Sequence, residues 1–196
     1  MKPNFEKISE FFDQQAKDWD QRTREKDDMF TSLIYLTQGE ENQRILDIGC
    51  GTGILEKHLL KTSPKEIVAL DISSNMIAKA KEKYNHENIN FLTCNIFDYE
   101  DNNTFDSIYI YNVYPHIMNK EDLLIKIDER THKGSRVVIA HGLSRQTVNS
   151  IHHKLDFKLS DSLLEAKEEV KLWTDMFDID ILVDNDSMYI ISGIKK

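Results

Sequence analysis

Cysteine is nearly missing from this chain: Cys50 and Cys94 are the only two in 196 residues. A disulfide-stapled extracellular scaffold needs more, so that class is excluded and both thiols read as small buried residues. Proline (3) and glycine (7) are sparse as well, which argues against linkers and long disordered stretches. No apolar run approaches the roughly 20 residues of a membrane helix. Residues 1–12 mix Lys, Asn, Glu and Phe without an apolar core, so no signal peptide is expected and the location is read as cytoplasmic. Basic residues are outnumbered, 25 Lys and Arg against 34 Asp and Glu, a formal charge of −9. That field repels phosphate backbones and anionic membranes, and no Lys/Arg run is long enough to reverse it locally, so no nucleic-acid partner is expected. Lys79, Lys81 and Lys83 alternate with Ala and Glu, as on a solvated helix face. Metal-ligand spacings are missing too: there is no Cys-x-x-Cys or His-x-x-x-His. The adjacent His152 and His153 would point about 100° apart on a helix, so no metal is expected.

What is present is a chain whose apolar period changes regularly. With 40% hydrophobic residues it can build one core, and its length suits one domain. Phe5, Ile8, Phe12, Ala16 and Trp19 recur at helical spacing, and Met29, Phe30, Leu33, Ile34 and Tyr35 mark a second helix. Short Val/Ile/Leu-rich runs then read as buried strands: Arg44–Ile48, Glu66–Asp71, Ile89–Cys94, Asp106–Tyr111 and Arg136–His141. Helical segments lie between them at Ile54–Lys61, Asn75–Tyr84 and Lys120–Thr131, the last with Lys133-Gly134 as its expected cap. Residues 97–104 read as a loop or single turn. After a helix within Gln146–Phe177, the runs Ile179–Val183 and Met188–Ile194 flank a turn-forming Asp-Asn-Asp-Ser and predict a hairpin. The expected fold is Rossmann-like α/β: a doubly wound, mainly parallel seven-stranded sheet with N-terminal cap helices and a C-terminal antiparallel hairpin. Its expected parts are cap helices over residues 1–40, a core over 41–141, and a helix plus hairpin over 142–196.

The sharpest local signal is Ile45-Leu-Asp-Ile-Gly-Cys-Gly-Thr-Gly-Ile54, where a strand runs into Gly49, Gly51 and Gly53 and then into a helix. Glycines there let the backbone reach positive φ and let a ligand sit against the main chain. The second strand ends in Asp71, a carboxylate suited to both hydroxyls of a ribose in the shared crevice. A dinucleotide loop reads Gly-x-Gly-x-x-Gly. Here the third glycine comes one residue early, and Asp47 would repel a diphosphate but attract an ammonium group. An NAD-dependent oxidoreductase is the disfavoured enzymatic alternative.

Asp47-Ile-Gly49-Cys-Gly51-Thr-Gly53, with Asp71 in Val68-Ala-Leu-Asp-Ile-Ser73, resembles the cofactor site of class I S-adenosylmethionine-dependent methyltransferases. Phe11–Asp20 is similar to the cap helix of their small-molecule branch, the ubiquinone/menaquinone-methyltransferase-like group. Phe105–Ile108 through Asn112-Val-Tyr-Pro-His116, and Lys133–Ile139, look like its fourth and fifth strands. The resemblance covers most of the chain. It implies S-adenosylmethionine as cofactor, with Asp47, Gly49, Gly51 and Gly53 at the methionyl part, Asp71 at the ribose, and Cys50, Ile72 and Met76 as further cofactor contacts. It also implies Asn95 and Ile96 as the adenine wall, and Tyr111 and Asn112 beside the methyl. An acid is usual where Asn95 stands; an amide oxygen accepts the same hydrogen bond, and Asp98 is the other candidate.

Methyl transfer from a sulfonium needs alignment above all, and a base only for an acidic acceptor. Tyr111, Tyr114 and His116 are the candidate catalytic residues, His116 or a tyrosine orienting or deprotonating a small-molecule acceptor. Trp19, His141 and Arg145 are the candidate acceptor pocket, with Ser144 and Asn149 beside them. Glu168-Glu169 reads as solvated surface. A catalytically silent cofactor-binding partner subunit is the competing class, and monomer or dimer is left open.

Overall fold

The computed structural model describes residues 5–22, 27–37, 40–152 and 160–196. Helices α1 (Phe5–Gln15), α2 (Trp19–Arg22) and α3 (Asp27–Thr37) precede strand β1 (Arg44–Ile48). Then come α4 (Glu56–Leu59), β2 (Glu66–Asp71), α5 (Ser74–Lys83), β3 (Ile89–Thr93), β4 (Phe105–Tyr111) and α6 (Lys120–Arg130). They are followed by β5 (Thr131–His141), α7 (Arg145–His152), α8 (Ala166–Glu169), β6 (Phe177–Asp184) and β7 (Tyr189–Lys195). The seven strands form one sheet in the order β3-β2-β1-β4-β5-β7-β6, the first five parallel and β7 antiparallel to both its neighbours. This is the doubly wound sheet with a terminal hairpin that the apolar pattern implied.

Burial follows from the pleat, which sends alternate side chains to opposite faces. Leu46, Ile48, Val68, Leu70, Ile108, Ile110, Val137 and Ile139 build one core with α6. Ile45, Ile67, Ala69, Tyr109, Val138 and Ala140 build the other with α3, α4 and α5. Asp47 falls on the same face as Ile45, towards α4, because it is two residues further along. Strand β6 alternates buried and wetter positions, as an edge strand with one solvated face does.

Three details differ from expectation. Helix α6 stops at Arg130 without a glycine cap, because Thr131 is already extended at φ −120° and ψ 156°. Lys133 and Gly134 instead lie inside β5, where the pairing slips from Phe105↔Thr131 to Ser107↔Arg136 and Gly134 takes φ +90°. The helix expected over 54–61 holds one α-turn and then tightens into a 3₁₀ turn at Leu60–Thr62. Within Gln146–Phe177 there are two helices, α7 and α8. His153 lies outside the described residues.

No helix among the described residues is long and apolar enough to cross a membrane.

Candidate functional site

Strand order reverses between β1 and β4, and at such a switch point the loops leaving the strands part to open a crevice. A cleft of about 720 Å³, counting the solvent open to it, lies there. Its floor is Ile48, Gly49 and Gly51 after β1, and Asp71 and Ile72 at the end of β2. Cys94 to Phe97 after β3 and Asn112, Val113, His116 and Ile117 after β4 form its walls. Phe5, Ile8 and Phe12 of α1 form the roof.

The glycine loop is shaped by conformation and by space. Gly49 (φ +74°) and Gly51 (φ +57°) both occupy the left-handed region, which strains any residue bearing a Cβ. A Cβ on Gly49 would also come within 2.6 Å of a Val113 methyl. The amides of Gly49 and Cys50 both donate to the Leu70 carbonyl, at 2.7 and 2.9 Å, tying the loop to β2. Asp71 ties it again: one carboxylate oxygen accepts from the Gly51 amide at 2.8 Å, the other from the Ser73 amide at 2.8 Å. A carboxylate offers about four acceptor sites, so both oxygens keep capacity for ligand hydroxyls.

Behind the loop lies a concentration of buried acid. Asp47 and Glu56 are essentially inaccessible, and among the described residues no side-chain donor meets either carboxyl except the other carboxyl, through a shared proton. Burial pushes the Asp47 carboxyl well up, and the neighbouring Glu56 and Asp71 carboxylates push the same way. Burial likewise raises Glu56 to about 7 and Asp71 to about 6, the latter opposed by its two amide donors. Orphaned buried carboxylates are costly unless a cation compensates them. A cation placed near this pair would relieve that cost, and Asp71 stands beside it with acceptor capacity to spare.

Glu56 was not among the expected site residues. It occupies the stripe Thr52, Leu55, Glu56 and Leu59, all buried, at helical spacing. A lone charge on an otherwise apolar stripe is the signal that could have found it.

The roof is clamped at both ends of α5. The Asp13 carboxylate accepts from the Ser73 hydroxyl at 2.5 Å and the Asn75 amide at 2.9 Å, while the Ser9 hydroxyl donates to the Ile72 carbonyl. At the other end Asp20 accepts from Thr52 at 2.5 Å and from Lys83 at 2.9 Å.

Nine expected residues are gathered on the cavity wall: Gly49, Gly51, Asp71, Ile72, Met76, Asn95, Ile96, Asn112 and His116, with Cys94 beside them. Asp47, Cys50 and Gly53 stand behind the loop; Gly53 is held against Tyr84, where a Cβ would approach within 2.9 Å. Asn95 turns its carbonyl oxygen to the Phe97 amide at 3.2 Å. Asp98 is exposed and borders an adjoining groove with Glu6, Ser9 and Glu10. Trp19 packs on Phe12 and lies beside Gly51.

The two tyrosines turn away from the cavity. Tyr114 is buried in the core, its hydroxyl donating to Glu169 at 2.5 Å, and Tyr111 packs on Phe30 with its hydroxyl towards Met29. This also corrects the reading of Glu169 as solvated surface: it is buried by its bond to Tyr114, whereas Glu168 stays outside and pairs with Lys171. His141 is buried at the end of β5. Arg145 is taken up by Asp184 at 3.0 Å rather than by the cavity. Among the described residues no three potential ligands are placed to hold a metal.

Comparison with known proteins agrees with this geometry. A methyltransferase-domain family model matches residues 45–134. A malonyl-[acyl-carrier protein] O-methyltransferase of Ilyobacter polytropus is 30% identical over 173 residues, covering 84% of this chain and 67% of its own. A second such enzyme from that organism is 27% identical, and the chain spans 59% of its length. The N-methyltransferase NodS of Bradyrhizobium japonicum, solved with S-adenosyl-L-homocysteine, shares the fold at a TM-score of 0.75 and 13% identity, over 96% of this chain and 98% of that one.

Proposed function

Since the chain belongs to the class I S-adenosylmethionine-dependent methyltransferases, we propose that it carries a methyl group to a small molecule held over the loop after β4, by in-line displacement. The observation that carries this reading is the pair of orphaned, buried carboxylates behind a positive-φ glycine loop. Bound S-adenosylmethionine supplies an electrophilic methyl on a cationic sulfur. The residues present fit it. Asp47 and Glu56 would balance its positive charge through the loop, the Gly49 and Gly51 backbone would lie against its methionyl part, and Asp71 would accept its ribose hydroxyls. Ile72, Met76, Asn95 and Ile96 would enclose the base. Phe12, Val113 and Ile117 would exclude water, and His116 would face the acceptor.

Calorimetric titration with S-adenosylmethionine, S-adenosylhomocysteine and NAD tests the reading. Both sulfur nucleosides should bind and NAD should not; the reverse order of affinities sinks it. Asp71→Asn keeps one acceptor oxygen and should weaken S-adenosylhomocysteine by about tenfold, the loss of one charge-assisted hydrogen bond.

The clamped roof supports a further expectation. Asp13→Ala removes the acceptor of Ser73 and Asn75, each hydrogen bond being worth about 1 kcal/mol. The dissociation rate of S-adenosylhomocysteine should rise by about tenfold, followed by stopped-flow fluorescence of Trp19. An unchanged rate would mean that α1 does not gate the cavity.

A further inference from the structure

The strand ends along the cleft stand in a row, because β1, β2 and β3 are neighbours in the sheet. The glycine loop leaves β1 and Asp71 ends β2, so a nucleoside whose sugar meets Asp71 carries its base on towards the residues after β3. A purine hangs from its sugar by the five-membered ring, and the amino group of adenine sits on the far side of the six-membered ring. That edge points past Asn95, away from the sugar. An adjoining groove of about 830 Å³, counting the solvent open to it, abuts the cleft there and shares Phe5, Ile72, Cys94 and Asn95 with it. All four are only half-buried. The groove continues between Glu6, Ser9 and Glu10 of α1 and Thr93 and Asp98 on the β3 side.

We propose that this protein does not read the exocyclic amine of its cofactor's base, and that the open edge of the subsite accepts adenine nucleosides substituted on that nitrogen. This rests on the methyl-transfer reading above and deepens it by naming which part of the cofactor sets selectivity.

Three observations support it. The Asn95 side chain is already committed: its carbonyl oxygen accepts from the Phe97 amide at 3.2 Å, which fixes the sense of the side-chain amide, since only the oxygen can face an N–H. What remains is a partly used oxygen and an NH₂ group that can only donate. The exocyclic amine of adenine is a donor too, and two donors make no bond. An acid at this position would offer two oxygens, one for each donor. Next, the other acid near this edge stands on the wrong side. Asp98 is exposed, lines the groove and not the cleft, and is tied by its backbone amide to the Asn95 carbonyl at 3.0 Å. Finally, a group carried on the amine meets the groove instead of packed core.

The base is held by its faces. Met76 and Ile96 are buried and line the cleft together with Ile72, and apolar contact of this kind is indifferent to what the amine carries. Selectivity then falls to the sugar, through Asp71, and to the methionyl part, through the glycine loop. Asn95 is a specificity-determining residue by what it fails to offer.

Calorimetry on the wild-type protein compares S-adenosylhomocysteine with three analogues. One has hydrogen in place of the amino group, and two carry a methyl or a benzyl group on that nitrogen. All should bind within about threefold of the parent, because no hydrogen bond of ordinary worth is lost. A loss of about tenfold or more on removing the amine, or on adding benzyl, overturns the proposal. Asn95→Asp supplies the second oxygen. It should tighten S-adenosylhomocysteine by about fivefold to tenfold, as a charge-assisted bond does, and leave the amine-free analogue unchanged. No gain for the parent, or an equal change for both ligands, also overturns it; should this variant fail to fold, the wild-type series decides alone. Each of these results leaves the methyl-transfer reading standing. Failure of wild-type protein to bind S-adenosylhomocysteine at all would bring down that reading instead.

Discussion

Asp47→Asn should make the ligand-free protein more stable and its cofactor complex weaker. In the wild type Asp47 and Glu56 are buried side by side; burial raises both, Glu56 pushes Asp47 up further, and the contact with Asp47 holds Glu56 down, as when two carboxyls share one proton. Asparagine would turn a like-charge contact into a donor facing a carboxylate. The gain should be roughly 1–2 kcal/mol, or about 2–8 °C in Tm for a chain of this size. The same change removes the charge that balances a cation, so S-adenosylmethionine should bind about tenfold to a hundredfold less well.

The pH dependence has a definite sign. Glu56 and Asp71 move from ordinary carboxylate values when unfolded to about 7 and about 6 when folded. Between pH 4 and 7 these two carboxyls hold more protons folded than unfolded, so their contribution to stability falls as pH rises through that window, whereas His141, pushed by burial down to about 3, contributes in the opposite sense up to about pH 6.5. The loss should be on the order of a few kcal/mol. Affinity for a cationic ligand should move the opposite way and strengthen from pH 5.5 to 8, with protons released on binding. Thermal melts across this range, with and without ligand, measure both. If the affinity for the cationic ligand does not strengthen with pH, or Asp47→Asn lowers Tm and leaves affinity intact, the carboxylates are not an incomplete cation site.

Gly49→Ala should cost more than any other small change in the loop. The left-handed backbone at φ +74° costs an alanine about 1–2 kcal/mol. The added Cβ would also meet three Val113 atoms at 2.6, 2.8 and 2.9 Å. Valine is stiff at χ1, so the strand-four loop must shift, at roughly 1–3 kcal/mol more. Tm should fall by about 5–12 °C, and because Val113 lines the cavity, cofactor affinity should drop by at least about tenfold with it. Gly134→Ala supplies the control: φ is +90° but nothing lies within 4 Å of the new Cβ, so only the conformational cost applies. Denaturant melts of the two variants compare them directly. Equal losses would show that space around Gly49 is immaterial.

The parts of the site legible in the sequence are those carried by backbone. Gly49, Gly51 and Asp71 announce themselves because a strand, a run of glycines and a strand-ending acid each have local causes. The strands were legible for the same reason: β1 and β2 occupy the very residues their apolar runs mark out. What stayed hidden depends on side-chain direction. Tyr111 and Tyr114 lie next to Asn112 and His116 in sequence, yet their rings turn into the core, a choice made by Glu169 and Phe30 from distant segments. Glu56 looked like an ordinary acid in a first helical turn. The approach of His116 to His152, ring to ring, could not be seen either, because the loop after β4 meets α7 only in three dimensions. Lys133-Gly134 looked like a helix cap because a bulge inside a strand uses the same residue for the same conformational reason.

The position of β7 has a consequence for how the molecule is assembled. Strand β7, which follows β6 in sequence, is an interior member of the sheet, and among the described strands β6 touches the rest of the sheet only through it. On a ribosome, a nascent chain that has already delivered β6 still presents β5 as a raw, sticky margin, and β6 has no berth until residues 189–195 emerge. Deleting that one strand would therefore strip two from the sheet and leave His141, at the end of β5, beside an open margin.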